Sequence, residues 1–111
     1  MSEEQRRHHR IMTVIPVGIH FVQRSPAEGW GRIRNISVSG VEVETHFPLK
    51  DSEKVYLSFA VEGWVLMFEN VASRVIRARN FAGIYSAGVA FEDELDREHL
   101  REALVYLVNR T

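Results

Sequence analysis

A cluster of positively charged side chains near the start of the chain is the first group whose spacing suggests a chemical role. Arg6, Arg7 and Arg10 lie within five positions, with His8 and His9 between them. The planar guanidinium group can bind a phosphate, or the O6 and N7 atoms of guanine, through two parallel hydrogen bonds. The cluster therefore suits a multiply charged anion, although a solvated basic tail has the same composition.

A second polar segment runs from Arg34 to Gly40, at the end of a predicted strand. Alternation along a strand points Asn35 and Ser37 to one face and Ile36 to the other. An amide and a hydroxyl then stand side by side on the surface, where both can hydrogen-bond a ligand. Gly40 would permit a turn with positive φ, or the close approach of a ligand to the backbone. A plain strand followed by a Ser-Gly turn is the alternative.

The position of Ile33 conflicts with strict alternation in this strand. Alternation places Ile33 on the same outer face as Asn35, which would expose an isoleucine to solvent. Two arrangements resolve the conflict. Either the N-terminal arm covers Ile33, or a β-bulge lies between Arg32 and Asn35.

Short apolar stretches separated by turn signals predict about six antiparallel strands. The alternation is clearest where Val55, Leu57, Phe59 and Val61 share one face. Short strands connected by tight turns indicate a closed barrel or a sandwich. The predicted strands cover 11–22, 30–37, 41–45, 54–61, 64–79 with a bend near 70–73, and 84–91, with a tight hairpin turn at 62–63.

The last part of the chain changes to helical spacing of apolar residues. This pattern predicts a helix over about 96–109 that covers one opening of the barrel. Asp93 or Asp96 is suitably placed to cap its first turn. The apolar residues at helical spacing are Leu100, Ala103, Leu104, Leu107 and Val108.

The two polar segments together resemble the signature of the PilZ domain family. Arg6-x-x-x-Arg10 is followed about 25 residues later by Asn35-x-Ser37-x-x-Gly40. The apolar strand after Arg10 resembles the first barrel strand of that family, and the stretch 88–91 resembles its closing strand before a C-terminal helix. The resemblance implies a mainly β fold, a six-stranded antiparallel PilZ-like β-barrel, which binds cyclic di-GMP, often as an intercalated dimer of the dinucleotide.

The resemblance also implies roles for individual residues. Arg6 and Arg10 would contact phosphates and guanine faces or edges, Asn35 a guanine edge, and Ser37 a phosphate or guanine, while Gly40 would hold the turn that shapes the site. The family accepts Asp or Asn at the position of Asn35. Because an Asp would accept charge-assisted hydrogen bonds from guanine, the sequence alone predicts tighter binding by an Asn35→Asp variant.

Several neighbouring residues are candidates for an accessory role in the same site. Arg7 could assist or replace Arg6. His8 and His9 would be favoured in their protonated forms near phosphates, or they face solvent. Trp30 could pack against a base or simply end a turn, and Ser39 lies inside the second motif.

Composition argues against several other classes of function. The chain has no cysteine, which excludes disulfides and thiol catalysis, and its net charge of −1 gives no attraction to nucleic acid. It contains no apolar stretch long enough to cross a membrane and no N-terminal signal-peptide pattern. We therefore expect a cytoplasmic protein.

The sequence contains no pattern typical of an enzyme or a metal site. There is no nucleophile elbow and no phosphate-binding loop. We therefore expect no catalytic residues, and no cofactor beyond the dinucleotide ligand. The histidines lack metal-site spacing and have no cysteine to support them; they are His8, His9, His20, His46 and His99.

The expected protein is a cyclic di-GMP receptor or adaptor with two parts. Residues 1–10 would form a flexible, arginine-rich ligand-binding arm, and residues 11–111 the barrel with its C-terminal helix. Ligand binding would change the conformation of the arm and signal in trans to an unidentified downstream protein. The expected state is a monomer or a weak homodimer. The alternative is a PilZ-like protein-interaction module that does not bind the nucleotide.

Overall fold

A computed structural model describes residues 10–61 and 66–110 as six antiparallel strands followed by one helix. Each strand alternates buried apolar residues with more exposed ones, as the pleated geometry requires. The predicted fold class is confirmed. The elements are β1 (Ile11–Phe21), β2 (Glu28–Ile36), β3 (Gly40–Thr45), β4 (Lys54–Val61), β5 (Leu66–Phe81), β6 (Ile84–Phe91) and α1 (Glu94–Arg110).

The strands close into a barrel in the order β1-β2-β3-β6-β5-β4. All neighbours in this order are antiparallel. Successive strands are neighbours except β3 and β4, because β3 pairs with β6 instead. Inward side chains fill the barrel interior, and the stacked rings of Phe59 and Phe68 lie 4.6 Å apart beside Phe91. The apolar face predicted for β4 is buried along its whole length.

A β-bulge in β2 resolves the conflict at Ile33. Ile33 pairs with Val43 and Asn35 pairs with Glu42, so Arg34 is an extra residue on β2. The bulge turns Ile33 inward, where it is fully buried, and leaves Asn35 on the outer face. Of the two arrangements considered, the bulge is confirmed.

A second bulge lies in β5, which is three strands away from β2 in the barrel order. Val75 pairs with Val89 and Arg77 pairs with Gly88, which leaves Ile76 as the extra residue. Without it, strict alternation would point Arg77 into the core. Ile76 is 60% exposed, whereas Val75 is buried.

Strand β5 is also irregular where the sequence predicts a bend. Asn70 has a positive φ of 50°, and the register with β4 shifts at this point. The backbone N–H of Asn70 donates to Ser58 Oγ at 2.9 Å, which compensates for the lost ladder bond. The predicted turn at 62–63 lies outside the described residues.

Helix α1 begins two residues earlier than the sequence predicts, because Asp93 rather than Asp96 provides the cap. Asp93 Oδ1 accepts a hydrogen bond from the backbone N–H of Leu95 at 2.8 Å. Leu100, Ala103 and Leu104 are buried and join the barrel core. His99 stacks on Phe68 with ring centroids 4.3 Å apart, so the helix does close one end of the barrel.

Candidate functional site

A groove runs along the outer wall of the barrel. It has a volume of about 550 Å³ and crosses four adjacent strands, β2, β3, β6 and β5. The start of the chain's first strand borders it as well. The residues that line it are Arg10, Asn35, Ser37, Ser39, Gly40, Val41, Glu42, Ile76, Arg77, Arg79, Ser86, Ala87, Gly88, Val89 and Ala90.

The groove brings together the predicted site residues that fall within the described part of the chain, with one exception. Arg10 directly precedes Ile11, which pairs with Ile36, so Arg10 lies next to Ser37. Both the backbone N–H and the hydroxyl of Ser37 donate to the carbonyl of Gly40, at 2.9 and 3.3 Å. This tight connection holds Ser37, Ser39 and Gly40 at the mouth of the groove between β2 and β3.

The prediction that Gly40 could adopt a positive φ is wrong. Among the described glycines only Gly83 has a positive φ, so Gly40 is not needed for a left-handed turn. A Cβ at Gly40 would instead collide with the carbonyl oxygen of Val89 and lie 3.0 Å from Ala90 Cα. Glycine is required here because the β6 backbone passes close by.

Trp30 is the exception: it does not reach the groove. Its side chain is 69% exposed and packs edge-on against Phe47 with ring centroids 4.8 Å apart. It lines a separate small depression together with Ile84. The other predicted site residues, Arg6, Arg7, His8 and His9, lie outside the described residues.

Glu42 is a groove residue that the sequence analysis did not single out. Its carboxylate accepts a hydrogen bond from Asn35 Nδ2 at 2.6 Å and one from Ser86 Oγ at 3.2 Å. A carboxylate only accepts, so the amide must present its NH₂ group to Glu42. The acceptor oxygen of Asn35 is therefore turned away from Glu42 and remains available to a ligand.

Glu42 changes the expectation for an Asn35→Asp variant. A second carboxylate at this position would lie at hydrogen-bond distance from the first, and two like charges so close cannot both remain ionised without cost. We now expect Asn35→Asp alone to disturb the groove rather than to strengthen binding. Asparagine is the residue that fits beside Glu42.

Arg77 and Arg79 form the far wall of the groove, and they too were not predicted. Within residues 10–61 and 66–110, neither guanidinium group has a hydrogen-bond or ion-pair partner, and both line the groove. They face outward because of the bulge at Ile76. The signal in the sequence was a pair of arginines at positions that unbroken alternation assigns to the core.

The electrostatic character of the groove is positive. Its charged lining residues are Arg10, Arg77 and Arg79 against Glu42, which leaves a net charge of two. Glu44, the next acidic residue on β3, is neutralised by its own partners. Hydrogen bonds from Arg32 and then Arg34 lower the pKa of Glu44, against the opposing effect of its partial burial.

The described residues contain neither a metal-binding cluster nor a membrane-spanning helix. In this part of the chain, no three His, Cys, Asp or Glu side chains come together in a way that could hold a metal ion. Helix α1 is the one helix described, and it lacks the length and apolar character needed to cross a bilayer.

Comparison with protein families gives one match. The model of the PilZ domain family matches residues 4–110, which is nearly the whole chain. A comparison with curated protein sequences finds no match.

Solved structures of low sequence identity share the fold. The PilZ domain of CeSA from a cellulose-synthesizing bacterium has a TM-score of 0.62 at 20% identity, covering 89% of this chain and 97% of that one. YcgR from Escherichia coli, solved in complex with c-di-GMP, has a TM-score of 0.72 at 12% identity, covering 96% and 47%.

MotI (DgrA), an inhibitor of motility from Bacillus subtilis, is a third similar structure. Its TM-score is 0.69 at 16% identity, covering 98% of this chain and 53% of that one. The chain therefore spans about half the length of YcgR and of MotI. At these identities the similarity establishes the shared barrel.

Proposed function

The chain belongs to the PilZ domain family, and from this premise we propose that it is a receptor for cyclic di-GMP. The ligand binds in the groove on the outer wall of the barrel. Arg10 binds phosphate or guanine, Asn35 and Ser37 hydrogen-bond the ligand, and Gly40 holds the connection that positions Ser37.

The observation that carries this proposal is the composition of the groove. It combines guanidinium groups that have no partner among the described residues with an amide and a hydroxyl, all within one depression of about 550 Å³. Its net charge of two, from three arginines and one glutamate, balances the two phosphates of a cyclic dinucleotide. Guanidinium groups also stack on bases and bind guanine edges, so they serve every part of this ligand.

The similar structures support the same ligand. YcgR was solved in complex with c-di-GMP, and MrkH, which has a TM-score of 0.65 at 12% identity, is described as a c-di-GMP dependent transcription regulatory factor. Both contain a barrel similar to this one. MotI is an inhibitor of motility, which is one process that a receptor of this kind could regulate.

The proposal divides the chain into an arm and a barrel. Residues 1–10 act as a ligand-binding arm in which Arg6 and Arg7 join Arg10, with His8 and His9 as accessory residues, and residues 11–111 form the barrel and helix. Closure of the arm over the ligand costs conformational entropy but converts ligand binding into a change of shape. A partner protein that recognises the closed arm would receive the signal in trans.

Isothermal titration calorimetry with cyclic di-GMP tests the proposal, with wild type beside Arg10→Ala. We expect saturable binding by the wild type and a loss of about tenfold to a hundredfold in Arg10→Ala, because hydrogen bonds to charged groups are worth about 1.5–3 kcal/mol each. Arg101→Ala is the matched control. Arg101 is a surface arginine of α1 paired with Glu98, outside the groove, and its removal should leave affinity unchanged.

The titration also separates the two functions considered. The stoichiometry reports whether one or two dinucleotide molecules enter the groove. A wild-type protein that releases no heat with cyclic di-GMP, and shows no binding by a second method, would contradict the receptor. The PilZ-like protein-interaction module would then be favoured, and its partner would be sought by affinity capture.

A further inference from the structure

Three residues on adjacent strands form a slot within the groove. Glu42 on β3 pairs in register with Gly88 on β6, and Gly88 pairs with Arg77 on β5. Residues directly opposite each other in an antiparallel sheet project from the same face. Glu42 and Arg77 are therefore two walls, about 10 Å apart at the backbone since neighbouring strands lie ~4.8 Å apart. Gly88 is the floor between them.

Neither the backbone conformation nor the described neighbours of Gly88 require a glycine at this position. Gly88 does not have a positive φ, and a Cβ built on it would meet nothing within 4 Å. Glycine in the middle of a strand lowers stability, and it often marks a place where a ligand approaches the backbone. No described residue fills the space above Gly88, and the groove includes it.

The acidic wall is held in place without being neutralised. Within the described residues, Glu42 bonds to the neutral Asn35 amide and the neutral Ser86 hydroxyl, and it forms no ion pair. Each carboxylate oxygen has a second lone pair available. Glu42 is thus a fixed negative acceptor in a groove whose other charges are all positive.

We propose that this slot is a guanine-selective subsite, in which a guanine base lies over Gly88 between Glu42 and Arg77. This inference rests on the proposed function and adds the basis of its selectivity. Glu42 accepts hydrogen bonds from guanine N1–H and the N2 amino group. Arg77 donates to N7 and O6, at the other end of the purine.

The arrangement rejects adenine for a chemical reason. Adenine has no N1–H and no N2 amino group, so it would leave the Glu42 carboxylate facing an acceptor nitrogen. Adenine also replaces the O6 acceptor with an N6 donor, which opposes Arg77. Glu42 therefore supplies, from β3, the carboxylate that Asn35 does not provide from β2.

The test compares Glu42→Gln with wild type on three probes by calorimetry: cyclic di-GMP, cyclic di-AMP and cyclic di-IMP. The inosine dinucleotide differs from cyclic di-GMP only by lacking the N2 amino groups. We expect Glu42→Gln to lose roughly tenfold in affinity for cyclic di-GMP, in line with one bidentate base contact. The preference of wild type for cyclic di-GMP over cyclic di-IMP should shrink in the variant.

Glu44→Gln is the matched control, because Glu44 lies two residues away on β3 but is paired with Arg32 and Arg34 outside the groove. It should leave the preference among the probes unchanged. If Glu42→Gln binds cyclic di-GMP as well as wild type, or keeps the same preference, the subsite is refuted while the receptor stands. If wild type binds none of the three probes, the receptor itself is refuted.

A double variant distinguishes loss of a contact from loss of structure. Asn35→Asp combined with Glu42→Gln moves the carboxylate from β3 to β2 and keeps one acid and one amide in hydrogen-bond contact. We expect the double variant to melt at the wild-type temperature but to remain as unselective as Glu42→Gln, because its carboxylate no longer faces Arg77 across Gly88. If the double variant folds and regains the wild-type preference, a carboxylate at position 35 reads the base as well as one at position 42, and the proposal fails.

Discussion

Two glycines line the same groove for opposite reasons. Gly40 is confined by the β6 backbone, where a Cβ would collide with the Val89 carbonyl. Gly88 has open space above it on the solvent side. One glycine is therefore required for strands β3 and β6 to pack, and the other leaves room above the sheet.

Alanine substitutions separate these two roles. Gly40→Ala should reduce the free energy of unfolding by about 1–3 kcal/mol, because the strands must move apart to admit the methyl group. Gly88→Ala should leave it within about 0.5 kcal/mol of wild type, since nothing is displaced. Urea denaturation followed by fluorescence measures both. Equal losses of stability in the two variants would contradict the distinction.

At the residue scale, the sequence was sufficient to find the motif side chains but not their neighbours. Asn35, Ser37 and Arg10 were found because the spacing of the two motifs is specific, and all three line the groove. Glu42 carries no signal of its own, because a charged residue on a strand is usually just solvated, and Arg77 is marked only by a position that unbroken alternation assigns to the core. Only the register across β3, β6 and β5 shows that they face each other.

At the scale of elements, helix α1 depends on the residue that precedes it. Asp93 caps the first turn through the N–H of Leu95, and Glu94 and Asp96 add negative charge near the positive end of the helix dipole. The helix buries three apolar residues against the barrel, so its first turn decides how firmly that end of the barrel is covered.

Loss of the cap should weaken the whole domain. Asp93→Ala should lower the free energy of unfolding by about 1 kcal/mol, the usual cost of removing an N-cap side chain. Asp93→Asn keeps an acceptor oxygen and should retain most of the stability. Thermal unfolding monitored by circular dichroism gives the comparison. If Asp93→Ala and Asp93→Asn melt together, the hydrogen bond to Leu95 is not what stabilises the helix.

Element positions were largely predictable because apolar periodicity marks them. Strands β4 and β6 begin and end where the sequence predicts, and the irregularity in β5 lies at Asn70. The bulges at Arg34 and Ile76 were harder, since each inserts one residue and reverses the alternation after it. The first could be suspected because unbroken alternation would expose Ile33, and the second because unbroken alternation would point Arg77 and Arg79 into the core.

At the scale of the whole molecule, Glu92 connects three parts of the structure just after β6. Its carboxylate accepts hydrogen bonds from Lys54 Nζ on β4 at 2.7 Å and from Arg74 Nε on β5 at 2.9 Å. The hydrogen bond from Lys54, followed by that from Arg74, lowers the pKa of Glu92 below the ordinary value of 4.5, although partial burial opposes the shift.

The lowered pKa of Glu92 predicts a loss of stability in acid. The unfolded chain takes up the proton at a higher pH than the folded one, so the contribution is complete above pH 4.5 and is lost as the pH falls through the lower folded-state pKa. Denaturation series between pH 7 and pH 3 should show a shallower acid dependence for Glu92→Gln than for wild type. Parallel curves for the two proteins would contradict this assignment.

Strand β1 closes the barrel along two unequal lines. It pairs with β2 from Ile11 to His20, but with β4 only from Gly18 to Phe21. The β1–β4 junction therefore has four described residue pairs, as few as the β2–β3 junction, and local opening, which begins where few hydrogen bonds hold, should start at one of these two junctions. Because Arg10 lies at the end of β1 that pairs with β2 but not with β4, a ligand held by Arg10 would fasten that end of the strand to the rest of the barrel wall.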